Sequence, residues 1–165
     1  MISGKAIKYG NNVNTDVIIP AKYLVLTLDP TELAKHAMEG LDPLFFRKAQ
    51  GGAIIVAGKN FGCGSSREEA PLALKHAGVK CVLAESFARI FYRNAINLGL
   101  SVLECPGVSS KVAEGDELVV NLETGEVKNK SKNLTLHAIQ LPEFIMEILN
   151  DGGLIEHLRK RIRPK

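Results

Sequence analysis

The sequence predicts an α/β fold: a central, largely parallel sheet flanked by helices, with a smaller antiparallel β portion. Three observations predict it. Ala53–Ala57 and Val79–Ala84 are short unbroken apolar runs, the pattern of strands buried on both faces. Each is followed by a helical pattern that a glycine ends, residues 67–76 before Gly78 and residues 87–98 before Gly99. The links between them are short, so strand–helix–strand units with right-handed crossovers follow.

The elements can be justified in order. Residues 4–9 alternate and read as a strand. Asn11, Asn12 and Asn14 supply turn chemistry, because Asn tolerates left-handed backbone. Residues 15–20 are a brief apolar run stopped by Pro20, and residues 21–29 show no period. Pro30 opens a helix with Asp29 as its cap. After the two strand–helix pairs, residues 100–103 form a third buried strand. Residues 116–122 alternate, Thr124-Gly125 turns, and residues 126–129 pair back as a hairpin. Residues 134–139 are a further strand. Residues 142–149 and Leu154–Ile162 are helices separated by Asp151-Gly152-Gly153. No linker divides the chain, so residues 1–165 read as one domain.

Composition narrows the function. The chain has 165 residues, 45% of them apolar and 24% charged, with a net charge of +3. A domain of this size buries a core without disulfide or metal staples. Nucleic acid and anionic membrane are not favoured as partners. The basic run at residues 159–165 reads as a solvated helix end. The three cysteines, Cys63, Cys81 and Cys105, are odd in number and far apart, with no zinc or iron–sulfur spacing. No metal is therefore expected on this chain. Cys81 and Cys105 read as core residues at strand positions. The histidines lack ligand spacing. No signal segment or membrane span is evident, so the cytoplasm is the expected location.

Chemistry is concentrated in one loop. Five of the fifteen glycines (Gly51, Gly52, Gly58, Gly62, Gly64) flank the first buried strand and its carboxyl end, where open parallel sheets bind ligands. The P-loop and lipase-elbow patterns are absent, and Arg67 occupies the third glycine position of a G-x-G-x-x-G. Ser65-Ser66-Arg67-Glu68 reads as a capping box, which on its own makes Ser65 a helix cap. The same geometry has a functional reading. A helix N-terminus with glycine-exposed amides binds anions, Arg67 offers a planar fork for carboxylate, and a serine oxygen there is held as an alkoxide or binds substrate. Cys63 competes as nucleophile, since a helix N-terminus lowers a thiol's pKa, but no histidine neighbours it.

Three blocks at and around this loop resemble the aconitase superfamily. They are residues 14–24 (NTDVIIPAKYL), residues 58–68 (GKNFGCGSSRE) and residues 86–99 (SFARIFYRNAINLG). Within the superfamily the chain is similar to the small subunits of isopropylmalate isomerases (3-isopropylmalate dehydratases), in which the aconitase swivel domain is a separate chain. The resemblance spans nearly the whole sequence. It implies a swivel-type β/β/α fold and a hydro-lyase of leucine biosynthesis. That reaction interconverts 2- and 3-isopropylmalate through 2-isopropylmaleate, and the chain is active only with a large subunit that carries a [4Fe-4S] cluster. It implies Ser65 as the base that takes the proton from carbon, with Ser66 and Arg67 on a substrate carboxylate. Gly62, Cys63, Gly64 and Asp16 support the loop. The implied assembly is a heterodimer or heterotetramer, and apolar surface left free allows the isolated chain to self-associate.

Substrate choice in this group depends on the loop Tyr23-Leu24-Val25-Leu26. Members that take a third carboxylate place an arginine there; this chain has Val25 and Leu26, which suit an isopropyl group, while Lys22 stands near enough to meet an acid. Homoaconitate and methyl- or dimethylmalate-like acids stay open as substrates. A non-catalytic binding module on the same fold is the alternative of another class. Arg89, Arg93 and Asn94 read as surface and packing groups or, alternatively, as polar heads that support the loop or meet the partner, and not as catalytic residues.

Overall fold

A computed structural model describes residues 1–162. In chain order its elements are β1 (Ile2–Lys8), α1 (Thr15–Ile18), α2 (Ala21–Leu24), α3 (Pro30–Lys35), α4 (Phe45–Ala49), β2 (Ala53–Ala57), α5 (Glu69–Ala77), β3 (Val79–Ala84), α6 (Arg89–Asn97), β4 (Ser101–Glu104), α7 (Val108–Lys111), β5 (Glu117–Val120), β6 (Glu126–Asn129), β7 (Leu134–His137), α8 (Glu143–Asn150) and α9 (Leu154–Ile162). Part of the basic C-terminal run, residues 163–165, lies outside the described residues; Arg159, Lys160 and Arg161 are exposed on α9.

The strands form one sheet in the order β4-β3-β2-β1-β5-β6-β7. β1 to β4 pair in parallel, with Lys5 beside Ala53, Ile54 beside Cys81 and Val82 beside Val102. β5 runs antiparallel to β1, and β6 and β7 continue antiparallel. The antiparallel portion is therefore the other half of the same sheet, joined through β1.

The apolar run of β2 is explained by burial on both faces. Ala53, Ile55 and Ala57 pack with Ile7, Val82 and Val102 against Leu33, Leu74 and Phe91 from the helices. Ile54 and Val56 pack with Cys81, Leu83 and Leu103 against Leu118, Val120, Val127 and Leu136. The last four residues come from β5, β6 and β7, so the sheet curls until its antiparallel half, together with Val108 of α7, covers the face opposite the other helices. Cys81 and Cys105 are fully buried in this second core. Burial raises both thiol pKa values, Cys105 to about 11.

Local differences from the sequence reading have physical causes. The helix read over residues 67–76 begins at Glu69, and Glu68, not Ser65, is its N-cap. A start at Ser65 would put Pro71 in the helix interior, where it would remove a hydrogen bond and clash with the Arg67 carbonyl. Starting at Glu69 leaves Pro71 in the first turn, where no such bond is needed. The capping box therefore does not form. The next helix begins at Arg89 and not at residue 87, because Phe87 and Ala88 pair with the glycine loop. Residues 15–18 close into a helical turn, since the Asn14 side chain accepts the Val17 amide at 3.0 Å. The Asp29 cap on Thr31 and the glycine stop at Gly78, in left-handed backbone, form as the sequence indicates. Among the described residues no helix is long and apolar enough to cross a membrane.

Candidate active site

Because β1, β2 and β3 are parallel, their carboxyl ends share one edge of the sheet, and the three sequence blocks emerge there. The backbone stitches them together. Gly62 N–H donates to Val13 O at 2.7 Å and Thr15 N–H to Cys63 O at 2.8 Å. On the other side Phe61 N–H donates to Ser86 O at 3.1 Å and Ala88 N–H to Phe61 O at 2.9 Å. The glycine loop is thus a short ribbon between the other two blocks. Buried Phe61 anchors it, edge-on to Phe87 and Phe91. Gly62 has φ +81°, and a Cβ there would sit 2.1 Å from the Phe91 ring, so only glycine passes.

Beyond this ribbon the chain leaves the sheet and Ser65 becomes exposed. Its carbonyl is fixed by the buried Thr15 hydroxyl at 2.8 Å, while its own hydroxyl caps nothing. Thr15, Gly62, Gly64, Ser65 and Arg67 line a cleft of about 280 Å³, closed on the far side by Ala88 to Phe91. The helix start that faces Ser65 is therefore that of α6, not α5. No side chain caps α6, and its N-cap and first-turn residues, Ala88 to Phe91, line the cleft, which sets the positive end of its dipole at the cleft wall.

Arg67 is held from one side only. Its Nη1 lies 2.5 Å from the Asp16 carboxylate and donates to Ile19 O at 2.9 Å. Among the described residues nothing engages Nε or Nη2, which leaves one edge of the fork for a carboxylate. Asp16 is the group that orients it.

The structure brings Ser65, Arg67, Asp16, Gly62 and Gly64 together. Ser66 is exposed and does not line the cleft. Cys63 is half-buried in the loop, with its carbonyl in the ribbon. Val25 and Leu26 are 86% and 78% exposed in the turn after α2 and do not line the cleft. Tyr23 is directed at α3, stacked on His36, with its hydroxyl donated to Glu39. The Lys22 ammonium lies 4.8 Å from the Tyr23 ring centroid. The sequence reading missed Thr15 as the anchor of Ser65 and Ile90 as a cleft-lining residue, while Arg89, read as a packing group or a support of the loop, lines the cleft; the signal for Ile90 was that block three starts directly before a helix.

Glu85, at the end of β3, ties the loop to the rest of the fold. Its amide donates to Gly58 O, and its carboxylate accepts from the Gly107 and Ser109 amides and the Ser109 hydroxyl. Burial alone would raise its pKa, but these hydrogen bonds and Lys59 outweigh that and hold it below the usual range.

The residues present do not fit an iron–sulfur cluster. Two of the three cysteines are sealed in the core, and among the described residues no three His, Cys, Asp or Glu side chains are grouped to hold a metal ion.

The chain is similar to known proteins in sequence and in fold. Residues 26–107 match the model of the aconitase C-terminal domain. The isopropylmalate/citramalate isomerase small subunit of Methanocaldococcus jannaschii is 62% identical, over 98% of this chain and 96% of that one. The 3-isopropylmalate dehydratase small subunit of Halothermothrix orenii is 56% identical, over 98% of each chain. The crystal structure of a 3-isopropylmalate dehydratase from Methanocaldococcus jannaschii superposes with a TM-score of 0.91 at 48% identity, covering 97% of this chain and 94% of that one. The chain belongs to the family of 3-isopropylmalate dehydratase small subunits, within the aconitase superfamily.

Proposed function

We propose that this chain, joined to a large subunit, interconverts 2-isopropylmalate and 3-isopropylmalate by dehydration and rehydration through 2-isopropylmaleate. The observation that carries the reading is the convergence of Ser65, the free edge of Arg67 and the uncapped start of α6 on one cleft. Ser65 takes the proton from the substrate carbon while the hydroxyl leaves the neighbouring carbon; returning both groups with exchanged positions gives the isomer. Serine is a poor base unless its anion is stabilised, and the first-turn amides of α6 with the positive charge of Arg67 supply that stabilisation. Nε and Nη2 of Arg67 hold a substrate carboxylate, and Asp16 keeps the guanidinium turned toward it. A [4Fe-4S] cluster on the large subunit supplies the Lewis acidity that departure of the hydroxyl needs. Exposed Val25 and Leu26 present apolar surface to the isopropyl group once the large subunit closes over the cleft.

A second substrate is favoured by one observation, the citramalate in the name of the relative at 62% identity. Citramalate carries methyl in place of isopropyl, a difference of two CH₂ groups. Burying those is worth about 1.6 kcal/mol, or roughly 15-fold in kcat/KM. An apolar loop therefore ranks the two acids without excluding the smaller one.

The test is to co-express the chain with its large subunit and follow formation of the unsaturated intermediate from 2-isopropylmalate, citramalate and homocitrate. Turnover of the first, with weaker turnover of the second, is the expected result. Activity on homocitrate alone contradicts the substrate assignment, and no activity on any of them in a cluster-loaded complex contradicts catalysis.

A further inference from the structure

We propose that Glu39 and His36 are positioning residues that set substrate selectivity by clamping Tyr23, the pivot of the turn that carries Val25 and Leu26. The inference rests on the reading of Val25 and Leu26 as the substrate-facing loop.

Tyr23 controls that turn through its backbone. Its carbonyl accepts the amides of both Leu26 and Thr27 at 3.1 Å. Val25 and Leu26 themselves are almost free of packing, so nothing in their own side chains fixes where they stand. The turn is held at its base, where Tyr23 and Leu24 pack against the core, and Tyr23 adds polar contacts of its own. Its ring lies parallel to the His36 imidazole, with centroids 3.9 Å apart and planes 9° from coplanar. Its hydroxyl donates to one oxygen of Glu39, and the other oxygen of Glu39 is 2.9 Å from His36 Nδ1. One carboxylate therefore holds both members of the stack.

The backbone is shaped to deliver that carboxylate. Met38 has φ +60°, a region unfavourable for a residue with a side chain. It is completely buried, and its amide donates to Ile18 O at 2.9 Å. This bend turns the chain after α3 so that Glu39 faces Tyr23. Ile19, next in sequence, gives its carbonyl to Arg67. Residues 15–27 are thus held by the catalytic loop at one end and by the Glu39–His36 pair at the other. The clamp acts on the loop and touches no reacting atom.

The experiment uses the reconstituted complex and the ratio of kcat/KM for 2-isopropylmalate to that for shorter 2-alkylmalates. Tyr23→Phe keeps the stack and removes the hydroxyl; Glu39→Ala removes the acceptor; Glu39→Gln keeps an acceptor oxygen. Tyr23→Phe and Glu39→Ala are each expected to narrow the ratio by roughly three- to tenfold, mainly through KM, with kcat within about twofold. Glu39→Gln restores most of it, and the double variant is no worse than Glu39→Ala, because Tyr23→Phe breaks only the Tyr23–Glu39 bond that Glu39→Ala already removes. An unchanged ratio in both variants overturns the clamp, as does an equal fall for every substrate, which lost folding would give. A Val25→Ala, Leu26→Ala variant separates the two levels. If it shifts the ratio and the Tyr23 and Glu39 variants do not, the clamp alone fails. If it too leaves the ratio unchanged, the reading of the loop fails and the clamp with it.

Discussion

Arg67 and Asp16 meet at 2.5 Å between Nη1 and the carboxylate, joining the glycine loop to the helical turn Thr15–Ile18. Asp16 is 59% exposed and Arg67 15%, so this is a half-solvated pair. Such pairs add about 1 kcal/mol or less to stability. Its value is orientation, since it leaves the opposite edge of the guanidinium open to the cleft.

Asp16→Asn should therefore separate stability from binding. Urea unfolding is expected to shift by less than about 1 kcal/mol, while KM for 2-isopropylmalate rises roughly tenfold, as for loss of one charge-assisted contact. Steady-state kinetics beside an unfolding curve checks it. A large loss of stability with unchanged KM would show that the pair serves only the fold.

Gly62 and Gly115 offer a matched comparison. Their φ angles are +81° and +82°, but a Cβ on Gly62 meets the Phe91 ring while one on Gly115 meets nothing within 4 Å. Gly115→Ala is expected to cost about 1–2 kcal/mol for backbone strain alone. Gly62→Ala is expected to cost more than about 3 kcal/mol, because it also displaces Phe91 and the packing of Phe61. Equal losses in denaturant titrations would mean that close approach of the ribbon to α6 is not required.

The Glu85 carboxylate gives a pH signature. Its pKa in the fold lies below its ordinary 4.5, so its contribution to stability is complete above that value and is lost as pH falls through the folded pKa. Glu85→Gln should be less stable than the wild type at pH 7, with the gap closing below pH 4.5. Urea midpoints measured from neutral to acidic pH test this. A gap that stays constant on acidification would remove the carboxylate's charge from the account.

Val25→Arg tests the loop chemistry. Placing a guanidinium where an isopropyl group is expected should lower kcat/KM for 2-isopropylmalate by at least roughly tenfold, through lost apolar contact and a desolvated charge. Retained activity on 2-isopropylmalate would show that Val25 stands outside the substrate's reach.

The parallel half of the fold was legible because burial on both faces leaves unbroken apolar runs at β2 and β3, and because Gly78 and Gly99 mark the helix ends. The Ser65-x-x-Glu68 pattern misled as a cap because Pro71, six residues past Ser65, forbids a helix that starts there. Short turns such as α7 carry too few residues for a period. The cleft was half legible. Its glycine loop is contiguous in sequence, but its opposite wall, the start of α6, reaches Ser65 through the pairing of Phe61 with Phe87 and the hydrogen bonds and ring packing beside it. Tyr23, read as a substrate contact, turns instead to His36 and Glu39, a meeting no local pattern announces.

The central claim is that Ser65 is the base. The most direct measurement is turnover of 2-isopropylmalate by a cluster-loaded complex carrying Ser65→Ala. Because Ser65 is exposed and caps nothing, folding and association with the large subunit should be unchanged. The account predicts kcat lower by about 10²- to 10⁴-fold with KM little altered. A kcat within twofold of the wild type in an intact complex would contradict it.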